Sequence, residues 1–281
     1  MKIGVSHWIW VAPFRSDQHL ELIPRARALG AEVFEFAAED DAHFDVPAVR
    51  RALADAGLAS SLVGLYGPGR DLSSADPATR QLGREYSRRS LDLCAAIGGT
   101  LFTGAVVGVG NHEALAPAER DARLNRAADC LRTLGDHARS VGVTFAVEIL
   151  NRYECNLTTT SAQGSDLIDR TGHPAVGLHL DTFHMNMEEA SLAEAIRLAG
   201  PRLVHVHASE SHRGTPGAGL LRWDQVAAAL REIDYRGYAV IESFNLDTWL
   251  APLARFWRPP AASADTLARD GLAFLRSTLR S

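Results

Sequence analysis

Short, apolar, β-rich runs alternate with amphipathic helical stretches along the whole chain, and this alternation leaves few folds open. The runs are KIGVS from Lys2, VFEFAA from Val33, SSLVGLY from Ser60, TLFTGAV from Thr100, TFAVEIL from Thr144, VGLHLD from Val176, LVHVHAS from Leu203 and YAVIESF from Tyr238. Between them lie HLELIPRARALG, PAVRRALADAG, ATRQLGREYSRRSLDLCAAIG, RLNRAADCLRTLGDHARSVG and WDQVAAALREI, several ending on Gly as a helix C-terminus does. Strict alternation implies parallel strands joined by right-handed crossovers. A doubly wound open sheet shows the same pattern, but about eight repeats in 281 residues with no Pro/Ser-rich hinge point to a closed (β/α)8 barrel. The expectation is a single α/β barrel domain over residues 1–281. The Gly/Pro clusters GLYGPGR after β-run three and HRGTPGAG from His212 then read as βα loops, which form the catalytic face of such a barrel.

Composition matters for what it excludes. At 46% hydrophobic and 22% charged residues the chain can build a core, and Lys plus Arg (29) against Asp plus Glu (34) gives −5, without the basic excess that nucleic acid requires. The N-terminal MKIGVSHWIWVAPFR lacks the apolar centre of a signal peptide, and no stretch approaches the roughly 18 apolar residues of a membrane span, so a cytoplasmic protein without a membrane partner is expected. Cys94, Cys130 and Cys155 are far apart with no CxxC pair, which reads as packing and not as a zinc finger or disulfide scaffold.

The chemistry concentrates in the second half. Four runs end in an ionisable residue of metal-ligand type: Glu148, Asp181, His207 and Glu242. The four strands are consecutive neighbours in a barrel, so these side chains converge on one side of the axis. One unpaired charge inside an apolar strand costs several kcal/mol, on the order of the desolvation of an ion, and a shared cation accounts for four at matching depth. Three carboxylates and one imidazole suit a moderately hard divalent ion, Mn²⁺ first, with Mg²⁺ or Co²⁺ as alternatives, and not a closed structural zinc site. His205 and His179 lie two positions before His207 and Asp181, so they point the same way one layer deeper and read as support or core.

The segments VEILNRYE, HLDTFHMNMEE, HVHASESHRGTPGAG with the following WDQV, and IESF resemble the signature segments of the ketose 3-epimerases, the tagatose/allulose (psicose) and L-ribulose 3-epimerase group within the xylose isomerase-like TIM barrels. The resemblance is dense from Phe145 to Phe244 and looser before it, where it rests on the strand pattern and REYSRRSLDLCAAIG. It implies Glu148, Asp181, His207 and Glu242 as metal ligands, with Glu148 and Glu242 also the pair of acid/base carboxylates. It further implies Glu154, His184 and Arg213 at the O1 to O3 end of a sugar, with Phe244, Gly104 and Leu65 also in contact with it. The implied activity is metal-dependent epimerisation of a free ketose at C3 through a cis-enediolate, by a homodimer or homotetramer.

Two loops depart from the family pattern. Ser6, His7, Trp8 and Trp10 occupy the first, and TGAVVGVGNHEA the fourth lacks an expected tryptophan, so the pocket end that meets C4 to C6 is altered. In the tail NLDTWLAPLARFWRPP, the residues Trp249, Phe256 and Trp257 either line the pocket or pack, with packing expected. The competing readings on the same barrel are an aldose-ketose isomerase or another enediolate enzyme, hydroxypyruvate isomerase-like or inosose dehydratase-like. An endonuclease IV-like nuclease needs a His-rich three-zinc site and a basic surface, which the sequence lacks. A sugar binder without chemistry has no use for two opposed carboxylates.

Overall fold

The computed structural model describes residues 1–37, 39 and 41–280. Eight parallel strands close into a barrel in sequence order: β1 Lys2–Ser6, β2 Val33–Ala37, β3 Ala59–Gly64, β4 Leu101–Gly104, β5 Thr144–Ile149, β6 Val176–Asp181, β7 Leu203–His207 and β8 Tyr238–Ile241. Closure is made by β1, which pairs with β2 through Gly4↔Val33 and with β8 through Gly4↔Val240. Each strand coincides with one of the eight apolar runs. They read as continuous apolar segments because helices cover the outer face of a parallel barrel and side chains fill the inner one, so all six residues of β6 are buried.

The helices form where capping and periodicity agree. Val46–Ala56 starts under Asp45, whose carboxylate accepts the Ala48 N–H at 3.0 Å, and stops at Gly57 in the left-handed conformation (φ 61°). The run HLELIPRARALG forms one helix, Leu22–Ala28, preceded by a single turn, Ser16–His19, and Pro24 falls in the helix's first turn, where its missing N–H costs least. Four helices of seven or more residues lie beyond the periodic stretches picked out above: Ser161–Thr171, Thr182–Glu188, Leu192–Ala199 and Ala264–Leu279. No helix among the described residues is long and apolar enough to cross a membrane. The three cysteines are free and buried.

The apolar core sits between strands and helices, with Phe34, Phe102, Phe145, Leu62 and Leu131 fully buried. The barrel axis is different. There Glu35, Ser61, Thr103, His179, His205 and His207 are buried together, and hydrogen bonds cross the interior from β2 to β7 and from β4 to β6. This polar layer lies directly behind the strand ends discussed next.

Candidate active site

The four ligand-type residues sit at the C-terminal ends of β5 to β8. Glu148 is the penultimate residue of β5, Asp181 and His207 end β6 and β7, and Glu242 is the first residue beyond β8. Parallel register places Asp181 opposite His207. From His207 Nδ1 the distances are 3.3 Å to Glu242 Oε1, 3.8 Å to Asp181 Oδ2 and 3.9 Å to Glu148 Oε1. Candidate donor atoms of Glu148, Asp181 and His207 all lie within 4.8 Å of one another. Glu242 stands beside this trio, its Oε2 taken by Arg213 Nη1 at 2.5 Å.

The donor set fits a divalent cation. His207 Nδ1 is buried with no hydrogen-bond partner and faces three carboxylates. A buried orphan nitrogen is costly, and a cation shared with the carboxylates would satisfy it. Asp181 divides its two oxygens: Oδ1 caps the helix Thr182–Glu188 by accepting the Phe183 N–H at 2.8 Å, and Oδ2 turns to the site. The same helix carries His184, whose Nδ1 takes the Asn151 backbone N–H at 3.3 Å and the Asn151 amide at 2.7 Å. A neutral His184 bonded in this way carries its proton on Nε2. Asn151 also donates to Glu154 Oε1 at 2.8 Å, tying Glu154 to His184.

Arg213 is the cation of the site. It is buried, with Nη1 2.7 Å from Asp181 Oδ2 and 2.9 Å from Ser209 Oγ, and its guanidinium lies over the Phe183 ring at 4.1 Å. Arg213 has φ 60°, a conformation unusual outside glycine. The loop holds it there through Glu210, whose carboxylate accepts from the N–H groups of Ser211, Gly217 and Leu221 and from Trp223 Nε1, while its carbonyl accepts the Arg213 N–H at 2.9 Å.

Electrostatics separates the carboxylates. Burial pushes Glu148 well above the usual range, and the neighbouring Glu242 and Asp181 add to the rise. Burial also raises Asp181, to about 6, against the pull of Arg213. Glu242 is buried too, but Arg213 and His207 overcome the burial penalty and hold it down at about 2. His207 is raised well above the ordinary histidine value despite its burial, because Glu242 and Glu35 stabilise its cation. Without a metal, burial therefore favours the neutral form of Glu148, while Arg213 and His207 favour the ionised form of Glu242 beside it.

Above these residues opens a cavity of about 380 Å³. Glu148, Glu242, Glu154, His184 and Arg213 line it, whereas Asp181 and His207 are buried beneath. Phe244 and Leu65 contribute walls, joined by Trp8, Tyr66 and Leu150. Gly104 is not at the cavity surface; a Cβ on it would lie 2.6 Å from Cε2 of Tyr66, so it is the space that lets this ring stand in the wall. In the first loop Trp8 reaches the cavity while His7 and Trp10 are buried, and the fourth loop supplies Ala105, Val109, Gly110 and His112. The tail departs from the packing expectation: Trp249 and Trp257 are 47% and 74% exposed, and it is Leu250 and Leu253 of the short helix Leu250–Leu253 that line the cavity. Phe256 does pack, against Phe244.

The sequence reading missed Asn151, Tyr66, Glu210 and Glu35. Glu35 had a visible signal, a charge inside the apolar run VFEFA, but its partners lie on β7. His205 and His179 fall behind the ligands as the two-residue period requires.

Residues 23–278 match the family described as xylose isomerase-like TIM barrel. The chain is 33% identical to a ketose 3-epimerase of Arthrobacter globiformis over 99% of its own length and 97% of that protein. It is 34% identical to an L-ribulose 3-epimerase of Mesorhizobium japonicum, over 98% and 93% of the two chains. It superposes on a solved structure of L-ribulose 3-epimerase with a TM-score of 0.92 at 33% identity, covering 99% of this chain and 94% of the other.

Proposed function

The chain belongs to the ketose 3-epimerase family of xylose isomerase-like TIM barrels, carbohydrate epimerases of the isomerase class, and from that premise we propose that it inverts C3 of a free ketose. The observation that carries the reading is the pair Glu148 and Glu242, both reaching the cavity from the ends of β5 and β8, where burial favours the neutral form of the first and Arg213 and His207 favour the ionised form of the second. Inversion needs a base on one face of C3 and an acid on the other. Ionised Glu242 removes the C3 proton of one epimer, and protonated Glu148 returns a proton to the opposite face of the resulting cis-enediolate. The reverse reaction exchanges their roles.

Glu148, Asp181, His207 and Glu242 are the residues that would hold a divalent cation, Mn²⁺ by donor character with Mg²⁺ or Co²⁺ as alternatives, which supplies Lewis acidity for the charge that builds on O2 and O3. Arg213 and the Nε2–H of His184 would hold the sugar's carbonyl end, with Glu154 accepting from its hydroxyls. Phe244, Leu65 and Trp8 keep water from the carbanionic carbon. Incubating Mn²⁺-loaded protein with fructose, tagatose, allulose, sorbose, ribulose and xylulose should yield the C3 epimer of at least one. Aldose products alone would assign an aldose-ketose isomerase instead.

The raised His207 and Asp181 must each be free of a proton to bind a cation, whereas Glu148 could ligate through one carboxyl oxygen while the other carries the proton it delivers. Higher pH removes those protons, so affinity rises with pH. The apparent Mn²⁺ dissociation constant is expected to tighten as pH rises from about 6, as bound protons are released, measured by competition with a chromophoric chelator; a flat profile contradicts this assignment. A separate expectation concerns the wall. Gly104→Ala drives a methyl into Tyr66, and overpacking of this kind costs about 1–3 kcal/mol. The thermal midpoint should fall, and displacement of the ring into the cavity should raise KM by roughly fivefold, about 1 kcal/mol, with kcat nearly unchanged in steady-state assays.

A further inference from the structure

Glu35 is fully buried in the middle of β2, in the apolar run VFEFA, and takes no part in the chemistry described above. Its carboxylate has three partners. Oε1 is 2.8 Å from His207 Nε2, and Oε2 is 3.0 Å from His205 Nε2 and 2.8 Å from Ser61 Oγ. We infer that Glu35 is a positioning residue for the metal site: by accepting the Nε2–H of His207 it fixes the tautomer and ring orientation that turn the Nδ1 lone pair to Glu148, Asp181 and Glu242. This inference rests on the metal-binding reading given above.

The geometry separates this role from that of a ligand. Glu35 meets the Nε2 edge of the His207 ring, whereas the other three carboxylates gather at Nδ1, 3.3 to 3.9 Å away. An imidazole rotated by a half-turn would offer a carbon to the cation, and Glu35 blocks that rotation. Its second oxygen imposes the same tautomer on His205, leaving His205 Nδ1 without a partner in the interior. A buried carboxylate is costly to keep where an apolar side chain of similar volume would pack, and a metal-ligating imidazole that donates its far N–H to a carboxylate is a recurrent answer to that cost. Such partners raise the basicity of the ligand and commonly contribute about 10–100-fold in metal affinity.

The test compares metal-free wild type and Glu35→Gln titrated with Mn²⁺ by calorimetry or chelator competition. Gln keeps the volume but has one acceptor oxygen for two imidazole donors. The dissociation constant should weaken by roughly 10–100-fold, with kcat largely recovered at saturating Mn²⁺, a split that general loss of structure does not produce. If wild type binds and Glu35→Gln binds equally tightly, the positioning role is wrong while the metal site stands; if wild type itself binds no divalent ion, the metal reading fails with it. Should Glu35→Gln not fold, ¹⁵N NMR of wild-type His207 with and without Mg²⁺ decides. The proposal requires a protonated Nε2 in both states and a shift of Nδ1 on Mg²⁺ addition. A shift of Nε2 in place of Nδ1 overturns it.

Discussion

Glu242→Gln is expected to lower kcat for C3 epimerisation by about 10²–10⁴-fold at saturating Mn²⁺, the contribution of a positioned acid or base. Glu148→Gln should lose a similar factor. Both side chains are nearly buried yet line the cavity, and Gln fills the same space, so the loss reports chemistry and not packing. The two variants should also fail differently. Each removes the base for one epimer and leaves the base for the other, so each should retain exchange of the C3 proton with solvent from one epimer only, and from opposite epimers. Equal exchange from both epimers in either variant would show that the removed carboxylate is not one of two opposed bases. Deuterium wash-in followed by NMR on both purified epimers distinguishes these outcomes.

Arg213→Ala carries the second large effect, on stability as well as rate. Its guanidinium lies 2.7 Å from Asp181 and 2.5 Å from Glu242, and all three are buried. Removing one partner of a buried pair typically costs about 3–5 kcal/mol because the remaining charge stays uncompensated. In chelator the variant should therefore melt well below wild type. Mn²⁺ should narrow the gap, since a cation among the same carboxylates replaces part of the lost charge. Loss of the donor proposed to hold the sugar's carbonyl end should reduce kcat/KM by roughly 10²–10³-fold. A variant as stable as wild type in chelator would mean that Arg213 does not compensate Asp181 and Glu242 in solution. The pH profile offers a further check: with Arg213 gone, Glu242 loses the leading influence that holds it near 2, so the acidic limb should move to higher pH.

The barrel was legible because its signal is local. Each of the eight strands is an apolar run, and the βα loops follow directly behind. The ligand-type residues were legible only as a set: one charge at the end of a strand usually reads as solvated or salt-bridged, but four at matching depth on neighbouring strands share a single explanation. Helices Ser161–Thr171, Leu192–Ala199 and Ala264–Leu279 were missed although Thr160, Ser191 and Ser263 precede them as N-caps, each accepting an N–H from three residues on. Those caps were the signal, and strand counting passed over them. Glu35 was out of reach for another reason. The residues that make sense of it, His205 and His207, lie about 170 positions away, and their contact exists only once the barrel closes. Gly104 shows the opposite case, where the family pattern suggested a sugar contact and the structure places a tyrosine ring over it.

The most direct test of two opposed carboxylates acting at C3 is solvent exchange by the wild-type protein. Mn²⁺-loaded protein is incubated in D₂O with each ketopentose and ketohexose, and the position of deuterium is read by NMR. Deuterium is expected at C3 in the newly formed epimer, with none at C1. Failure to exchange the C3 proton of any ketose, or label confined to C1, would contradict the two-carboxylate action.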